Sequence, residues 1–331
     1  GGYARLTAGK TKELRAAANE NELSIGGGTF AADIAGGRSF AENTRTGADS
    51  IARTEANRNK VWVDTHAGWF NADLIGGSAK VQATAGRAEA AAHENELYVK
   101  GGTYQQNVYS GDAAAESENG SAVAQATKNY LSTETSVTSG ITGGHASAEA
   151  KGTFDVLASE NLLSLRGGAR SFIGGYAEGT QRDSGTYVLQ STGTANENSM
   201  EIRSTGTFTD KSAGGYVHIT ANNTKLLSAA AAKNDVLLQD GTFNEDVAGG
   251  RSFARNTTAA VDSVTNAAAN ENTVHALGAR TARDSTAARR MPRQRGSSMR
   301  APTRTSWPSP RGQRTSSAAT PRASSSRPVN R

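Results

Sequence analysis

Five histidines are the side chains of this sequence most able to act as bases or metal ligands near neutral pH. Each occupies a different place relative to the glycines and asparagines around it. No two have a spacing that would bring them to one metal ion or one nucleophile. We therefore predict no catalytic histidine and no metal centre. The five are His66, His93, His145, His218 and His275.

Carboxylates are the second candidate chemistry, because polysaccharide-cleaving enzymes use paired acidic residues on one face of the fold. Glu245 and Asp246, and likewise Glu94 and Glu96, fall at positions that recur along the chain. Catalytic residues should interrupt a repeat and not follow it. We predict turn or solvent-facing roles for these acids, no catalytic residue, no cofactor and no enzymatic activity. A carbohydrate-active enzyme, either a polysaccharide lyase or a hydrolase, is the alternative.

Oxygen-rich Ala-Asn-Glu-Asn segments are a third candidate, because Ca²⁺ prefers carboxylate and carbonyl ligands. They lack the Gly-Gly-x-Gly-x-Asp pattern of calcium-loaded β-rolls. We interpret them as polar turns, with calcium binding as the alternative. The segments are 18–21, 195–198 and 269–272.

These segments belong to a repeat of eight units that is marked by asparagine. The residues two and four positions after each anchor asparagine are apolar in nearly every unit, and successive anchors are 32 to 38 residues apart. Recurrence on this scale indicates one supersecondary unit copied along an axis. The anchors are Asn21, Asn59, Asn95, Asn129, Asn161, Asn198, Asn234 and Asn272.

A second pattern completes each unit. A Gly-Thr-aromatic step, as at 28–30, is followed by an apolar residue and a glycine pair, as at 36–37. Period-two alternation predicts short strands, and we interpret the glycines as tight turns that need positive φ. The unit is then strand, turn, strand, turn and a polar connection. The fourth unit at 136–138 and the fifth at 168–170 depart from the Gly-Thr-aromatic pattern.

Stacked copies of this unit predict an all-β repeat solenoid, with a parallel β-helix favoured over a β-prism or a meander. Stacked strands lie about 4.8 Å apart, so equivalent residues should form ladders along the axis. We expect the anchor asparagines to form an amide ladder, and two further ladders, one apolar and one of threonine hydroxyls. The apolar ladder is Leu23, Val61, Leu97, Leu131, Leu163, Met200 and Val236; the threonine ladder is Thr29, Thr103, Thr207 and Thr242.

Composition divides the chain in two. Residues 278–331 hold 13 of the 36 Lys and Arg residues, all six prolines and one of the 31 acidic residues. That leaves 23 basic against 30 acidic side chains in residues 1–277. We predict a solenoid over 1–277 and a disordered Arg/Pro/Ser-rich tail over 278–331. The acidic balance of the solenoid predicts no nucleic-acid binding.

The tail also reads as the same repeat translated in a shifted frame. When the third base of each codon is joined to the first two bases of the next, residues 284–288 permit Phe-Tyr-Gly-Gly. Residues 316–320 permit Ile-Gly-Gly-Tyr in the same frame. We interpret the tail as the product of a frameshift near residues 275–280, with a genuine disordered tail as the alternative.

Together the motifs Asn-x-apolar-x-apolar, Gly-Gly-Thr-Phe/Tyr and Val/Ile-x-Gly-Gly resemble the repeats in passenger regions of bacterial autotransporters, which are large surface proteins of Gram-negative bacteria. The resemblance covers residues 1–277. It implies a right-handed parallel β-helix outside the cell, held by a carboxy-terminal outer-membrane β-barrel. It also implies a repetitive adhesive scaffold whose partner is an unknown surface or matrix ligand, such as a glycan or a host or neighbouring cell surface.

The chain departs from the full pattern of that family by showing neither an export signal nor a barrel. It opens with residues 1–4, Gly-Gly-Tyr-Ala, which match the interior of a unit at 174–177. We therefore expect a fragment that starts inside a repeat. Such a fragment should self-associate through an open solenoid edge at 272–276.

Overall fold

The computed structural model describes the backbone of residues 1–65, 68–182, 187–257, 262–281 and 286–294, and side chains in these ranges up to residue 280. These residues form strands and turns, with no helix among them. The strands are β1 Gly2–Ala8, β2 Glu13–Ala17, β3 Glu22–Ile25, β4 Thr29–Phe30, β5 Ile34–Asn43, β6 Ile51–Glu55, β7 Lys60–Val63, β8 Trp69–Phe70, β9 Leu74–His93, β10 Glu96–Val99, β11 Thr103–Tyr104, β12 Val108–Thr127, β13 Tyr130–Thr133, β14 Gly140–Ala150, β15 Phe154–Leu157, β16 Leu162–Leu165, β17 Ser171–Gln181, β18 Val188–Thr194, β19 Ser199–Phe208, β20 Ser212–Ala221, β21 Thr224–Ala230, β22 Asp235–Phe243, β23 Val247–Asn256, β24 Val264–Ala268, β25 Thr273–Ala276, β26 Arg280–Thr281 and β27 Thr286–Gln294.

The strands stack into a parallel β-solenoid. One sheet contains, in order, β3, β7, β10, β13, β16, β19, β22 and β25, one strand from each of eight coils. A 15-stranded sheet contains the glycine-pair strands and the strands that follow them, and a short third sheet holds β4, β8 and β11. Each strand pair is parallel, which confirms the β-solenoid and excludes the meander.

The predicted apolar ladder is confirmed. Leu97 pairs with Val61 on one side and with Leu131 on the other, and all three are fully buried. The second apolar position of each unit forms a parallel ladder beside it. Aromatic residues extend this core, since Phe70 stacks on Tyr104 with ring centroids 4.5 Å apart, and Phe208 stacks on Phe243 at 4.7 Å.

The predicted threonine ladder is present only in part: Thr207 pairs in register with Thr242, whereas Trp69 lies between Thr29 and Thr103. Thr29 and Thr103 are exposed, because the aromatic residue that follows each of them takes the inward position of its two-residue strand. In the fourth and fifth units, which depart from the Gly-Thr-aromatic pattern, other side chains take the inward place of the aromatic residue. Val137 is buried there in the fourth coil and Ala169 in the fifth, where Phe172 packs edge-on against Phe208 at 5.2 Å.

The glycine pairs are not turns. They lie inside strands, as Gly143-Gly144 does in β14, and positive φ occurs instead at glycines such as Gly102 of the Gly-Thr-aromatic step. A Cβ on Gly144 would lie 2.5 Å from the Oδ1 atom of Asn161 in the next coil. The second glycine of each pair therefore makes room for an anchor asparagine.

The polar connections are also strands. β9 and β12 each continue for 20 residues, because alternate positions carry small apolar side chains that face inward. Sequence reasoning missed an alanine that stands three positions before every anchor asparagine and is buried in every coil. These residues are Ala18, Ala56, Ala92, Ala126, Ala158, Ala195, Ala231 and Ala269.

The asparagine ladder is confirmed. The Nδ2 atom of Asn95 donates to Oδ1 of Asn129 at 3.0 Å, and that of Asn129 donates to Oδ1 of Asn161 at 3.0 Å. Nδ2 of Asn129 also donates to the carbonyl oxygen of Ala92. The candidate calcium segments thus lie in this turn. The side-chain amides of the first and last anchors, Asn21 and Asn272, are hydrogen-bonded there to the neighbouring anchor asparagines.

Two short strands lie inside the segment predicted to be disordered. β26 pairs with β22 and β27 pairs with β23, with Ala288 beside Gly250. The structure therefore has strands at 280–281 and 286–294, beyond the end of the solenoid predicted at residue 277. Pairing onto the open edge of a strand uses backbone groups and does not require the repeat side chains. The rest of the predicted tail, 282–285 and 295–331, lies outside the described residues.

Candidate functional site

The strands that contain the glycine pairs turn alternate side chains outward, in three rows that we call the front face. The first row is Tyr3, Arg38, Ser78, Asp112, His145, Tyr176, Tyr216 and Arg251. The second row is Arg5, Phe40, Lys80, Ala114, Ser147, Glu178, His218 and Phe253. The third row is Thr7, Glu42, Gln82, Glu116, Glu149, Thr180, Thr220 and Arg255.

Two small residues interrupt the second row. Ala114 and Ser147 stand between Lys80 and Glu178, where the other members of the row have long or aromatic side chains. The gap forms a groove of about 390 Å³, which we call the central groove. This volume is in the range of small-ligand sites. Its walls also include Phe40, Gln82, Glu116, Glu149 and Thr180.

A buried carboxylate borders the central groove in the first row. Oδ1 of Asp112 is 2.9 Å from Nδ1 of His145, and Oδ2 accepts from Oγ of Ser78 at 3.4 Å. The ammonium of Lys80 is 3.7 Å away. Burial alone would raise the pKa of Asp112, but the hydrogen bond and charge of His145, with Lys80, outweigh it and lower that pKa.

One guanidinium joins two carboxylates of the third row. Nε of Arg182 donates to Glu149 at 2.5 Å, and its NH2 group bonds Glu116 in the coil before. Nε2 of Gln82 donates to the other oxygen of Glu116 at 3.1 Å. Glycoside hydrolases need two carboxyls that face each other across the scissile bond. Here both are held by the same cation.

Aromatic rings continue along the front face beyond the groove. His145 lies between Tyr109 and Tyr176, with ring centroids 5.6 and 5.2 Å away. Tyr176 stacks on Tyr216 at 5.1 Å, and His218 packs against Phe253 at 4.9 Å. None of these rings lines the groove, whereas Phe40 does.

A second, smaller hollow of about 260 Å³ adjoins the central groove at Phe40 and Lys80. Its other side chains include Tyr3, Arg5 and Arg38, so it is basic. The guanidinium of Arg5 lies 5.3 Å above the ring of Phe40. The front face therefore changes from basic to mixed in charge over neighbouring coils.

The histidines considered from the sequence are dispersed. His93 is the last residue of β9, and its Nδ1 atom is 2.8 Å from Oγ1 of Thr127. His145 and His218 lie on the front face, beside Asp112 and Glu178 respectively, and His275 is on β25. Burial lowers the pKa of His93. His66 lies outside the described residues.

The carboxylates considered from the sequence lie away from the central groove. Glu94 has a φ of 56° in the turn before its anchor asparagine. Glu96 accepts from the hydroxyl of Tyr98 at 3.0 Å. Glu245 and Asp246 lie in the turn between β22 and β23. The predicted turn and surface positions are therefore confirmed for these four.

Sequence reasoning missed the central groove. The sequence did contain an indication of it. The residue three positions after the second glycine of the pair has a small side chain in two consecutive units, as Ala114 and Ser147. Two positions later both units carry a glutamate, Glu116 and Glu149. Without the strand register, these residues read as part of a variable polar connection.

Comparisons with known proteins add no family. No protein-family model, no curated protein and no solved structure matches this chain. Among the described residues, no three His, Cys, Asp or Glu side chains are grouped so as to hold a metal ion. The described part of the chain also has no helix that is long and apolar enough to cross a membrane.

Proposed function

We propose that this chain is an adhesive scaffold displayed on a bacterial cell surface, a segment of an exported protein of the autotransporter passenger type that acts by binding and not by catalysis. The observation that supports this most is the front face. Its three rows hold outward side chains in a fixed register over successive coils. A rigid repetitive surface offers many weak contacts at fixed spacing, and their effect multiplies when several copies are displayed together.

The proposed location follows from the resemblance of the repeat to autotransporter passenger regions. In the full-length protein the solenoid would stand outside the cell, anchored by a carboxy-terminal outer-membrane barrel. Its partner would be a surface or matrix ligand. The acidic balance of residues 1–277 argues against nucleic acid, because backbone phosphates bind basic surfaces.

Adhesion can be tested with the full chain coupled to beads at high and low density. We expect dense beads to attach to host-cell or bacterial-cell layers and sparse beads to attach far less, because avidity depends on simultaneous contacts. Beads that carry an unrelated solenoid protein are the control. Equal attachment of dense, sparse and control beads to every cell layer would contradict the proposal.

A carbohydrate-active enzyme is the second candidate, because the central groove interrupts the repeat. It places Glu116, Glu149 and Glu178 in three consecutive coils, with Asp112 beside them. The test is incubation of the full chain with a panel of polysaccharides. Release of reducing ends or unsaturated products that is abolished by Glu149→Gln would favour the enzyme. We expect no release, since Arg182 ties Glu149 and Glu116 together.

A further inference from the structure

We infer that the central groove is a binding site for an uncharged oligosaccharide. The inference rests on the proposed adhesive function and names the chemical class of its ligand. Three observations support it. They are the gap over Ala114 and Ser147, the basic partners of the carboxylates around that gap, and the hydrogen-bonding groups and the Phe40 ring in its lining.

The gap breaks the repeat where a ligand would lie. At the same row position the first coil has Phe40, the second Lys80 and the seventh Phe253. Two consecutive small residues in a register of about 4.8 Å open a trough along the solenoid axis. A trough of about 390 Å³ that lies between Lys80 and Glu178 suits a short stretch of an extended chain.

Each carboxylate around the groove has a basic side chain beside it. Asp112 lies beside His145 and Lys80, Glu116 and Glu149 share the single guanidinium of Arg182, and Glu178 is 3.9 Å from Nδ1 of His218. Paired carboxylates give little attraction to a cation and repel an anion, while their remaining lone pairs still accept hydrogen bonds. This favours a ligand that is rich in hydroxyl groups and carries no charge.

Unused hydrogen-bonding groups line the same gap. The hydroxyls of Ser147 and Thr180 make no hydrogen bond to any described residue. Oε2 of Glu178 accepts only a 3.3 Å hydrogen bond from Tyr176 among these residues. The amide of Gln82 has a free carbonyl oxygen once its Nε2 is bound to Glu116. Donors and acceptors at this density match the vicinal hydroxyls of a sugar.

The ring of Phe40 also lines the groove. In the same row Lys80 lies between Phe40 and Ala114, and Arg5 lies over the ring from the preceding coil. The C–H face of a pyranose ring packs well on apolar surface of this kind, and its hydroxyl edge remains free for the polar walls.

The experiment measures binding of the full chain to a panel of neutral gluco-, manno-, galacto- and N-acetylglucosamine oligosaccharides by calorimetry. The test variant is Ser147→Phe, which fills the groove with a side chain that the same row already carries at Phe40 and Phe253. The control is Ser132→Phe. Ser132 lies on β13 beside Tyr98 of β10, so this variant places the same ring away from the front face. We expect at least one neutral oligosaccharide to bind.

Ser147→Phe should weaken that binding by about tenfold or more, Glu178→Gln by a smaller factor, and Ser132→Phe not at all. Binding that survives Ser147→Phe would overturn the inference. So would binding confined to charged glycans. If beads adhere to cells but no neutral oligosaccharide binds, the glycan inference fails and the adhesive function stands. If neither occurs, both fail.

Discussion

Single residues in this protein are constrained by what the neighbouring coils place above and below them. Asn129 is typical. Its backbone N–H and its Nδ2 both donate to Oδ1 of Asn161, and its own Oδ1 accepts the same pair from Asn95. All three are at most 1% exposed, so none of these groups has water as an alternative partner. A change at one residue therefore leaves unpaired groups in two other coils.

Asn129→Ala should lower the free energy of unfolding by roughly 2–4 kcal/mol, because several buried donors and acceptors lose their partner together. The measurement is urea unfolding followed by circular dichroism. Asn244→Ala is the matched control, since Asn244 is exposed in a turn and should change stability by less than about 0.5 kcal/mol. Equal effects of the two substitutions would show that the amide ladder does not stabilise the fold.

Acid should weaken the packing at the end of β9, where His93 lies. Burial is the main cause of its lowered pKa; Glu94 and Glu55 act in the opposite direction and Lys128 adds to the lowering. Since the folded pKa lies below the unfolded value of 6.5, the stabilisation is present above that value and is lost as pH falls through the folded pKa.

The test compares urea midpoints at about pH 7.5 and about pH 5 for the wild type and His93→Asn. Asparagine is compatible with this position, because Asn57 occupies it in the preceding coil and accepts the backbone N–H of His93. We expect the wild type to lose more stability than the variant on acidification. An identical loss in both would assign the acid sensitivity to other groups.

Elements of successive coils approach most closely at the glycine pairs. A Cβ on either glycine of the pair at 143–144 would meet Asn161, so the pair allows the glycine-pair strand of one coil to lie against the anchor turn of the next. Each anchor turn also contains a non-glycine residue with φ between 54° and 60°, as at Lys128 and Glu160. The left-handed residue recurs in all eight anchor turns, and the glycine pair recurs in coils one to seven except the third, where Ser110 precedes Gly111.

Gly144→Ala should destabilise the solenoid by roughly 1–3 kcal/mol, because the new methyl group would meet the Asn161 amide. The contact cannot be relieved by a rotamer change, since the Oδ1 atom of that amide accepts from Asn129 and its Nδ2 atom donates to Asn198. Gly26→Ala is the control, because nothing lies within 4 Å of a Cβ at that glycine. Thermal unfolding should separate the two variants, and a lowered melting temperature for both alike would refute the steric role of the pair.

Replacement of Lys128 tests the left-handed turn residue. With φ at 58°, Lys128→Gly should keep or raise stability, whereas Lys128→Val should lower it by about 1–2 kcal/mol, because a β-branched side chain is poorly tolerated there. Lys128 is also 3.8 Å from Glu160, an exposed ion pair of little weight. Both variants lose that ion pair. The difference between their free energies of unfolding therefore reports the cost of holding valine in the left-handed backbone conformation. A valine variant as stable as the glycine variant would contradict the argument.

At the scale of the whole molecule, the coils form one continuous array, and we propose that its period continues in a shifted frame of the coding sequence of the tail. In the shifted frame, residues 301–305 permit Ala-Asn-Glu-Asn, as at 269–272. The codons of Ser306 and Trp307 then permit only Leu, Met or Val two positions after the hidden asparagine. The hidden glycine pair at 317–319 follows that asparagine at the spacing that separates Asn161 from Gly174-Gly175.

We therefore expect the coding DNA, read in the shifted frame from about residue 280, to give further Asn-anchored and glycine-pair units without a stop codon. The earlier hidden glycine pair falls in the codons of residues 286–288, and the structure pairs Ala288 with Gly250. Sequencing the gene through this region and beyond it is the measurement. Early stop codons in that frame would refute the frameshift, and a salt-sensitive affinity for DNA that depends on the tail would show a function for the basic segment.

Self-association through an open edge stays a prediction. β25 is the terminal strand of its sheet in the described part of the chain, with β22 on its inner side. No other strand of the described residues pairs with its outer side, and an unpaired edge of this kind can take up another strand.

The sequence by itself determined the unit of this protein. Because each coil buries its own apolar pair against the same pair one period away, the anchor asparagines and ladders such as Val61, Leu97 and Leu131 could be aligned from spacing alone. Strand direction, the role of the glycine pairs and the extent of β9 and β12 were decided only by stacking. Gly144 is glycine because of Asn161 in the next coil, and no local propensity records that contact. The central groove has the same origin, since Ala114 and Ser147 become neighbours only when strands 33 residues apart along the chain pair in register.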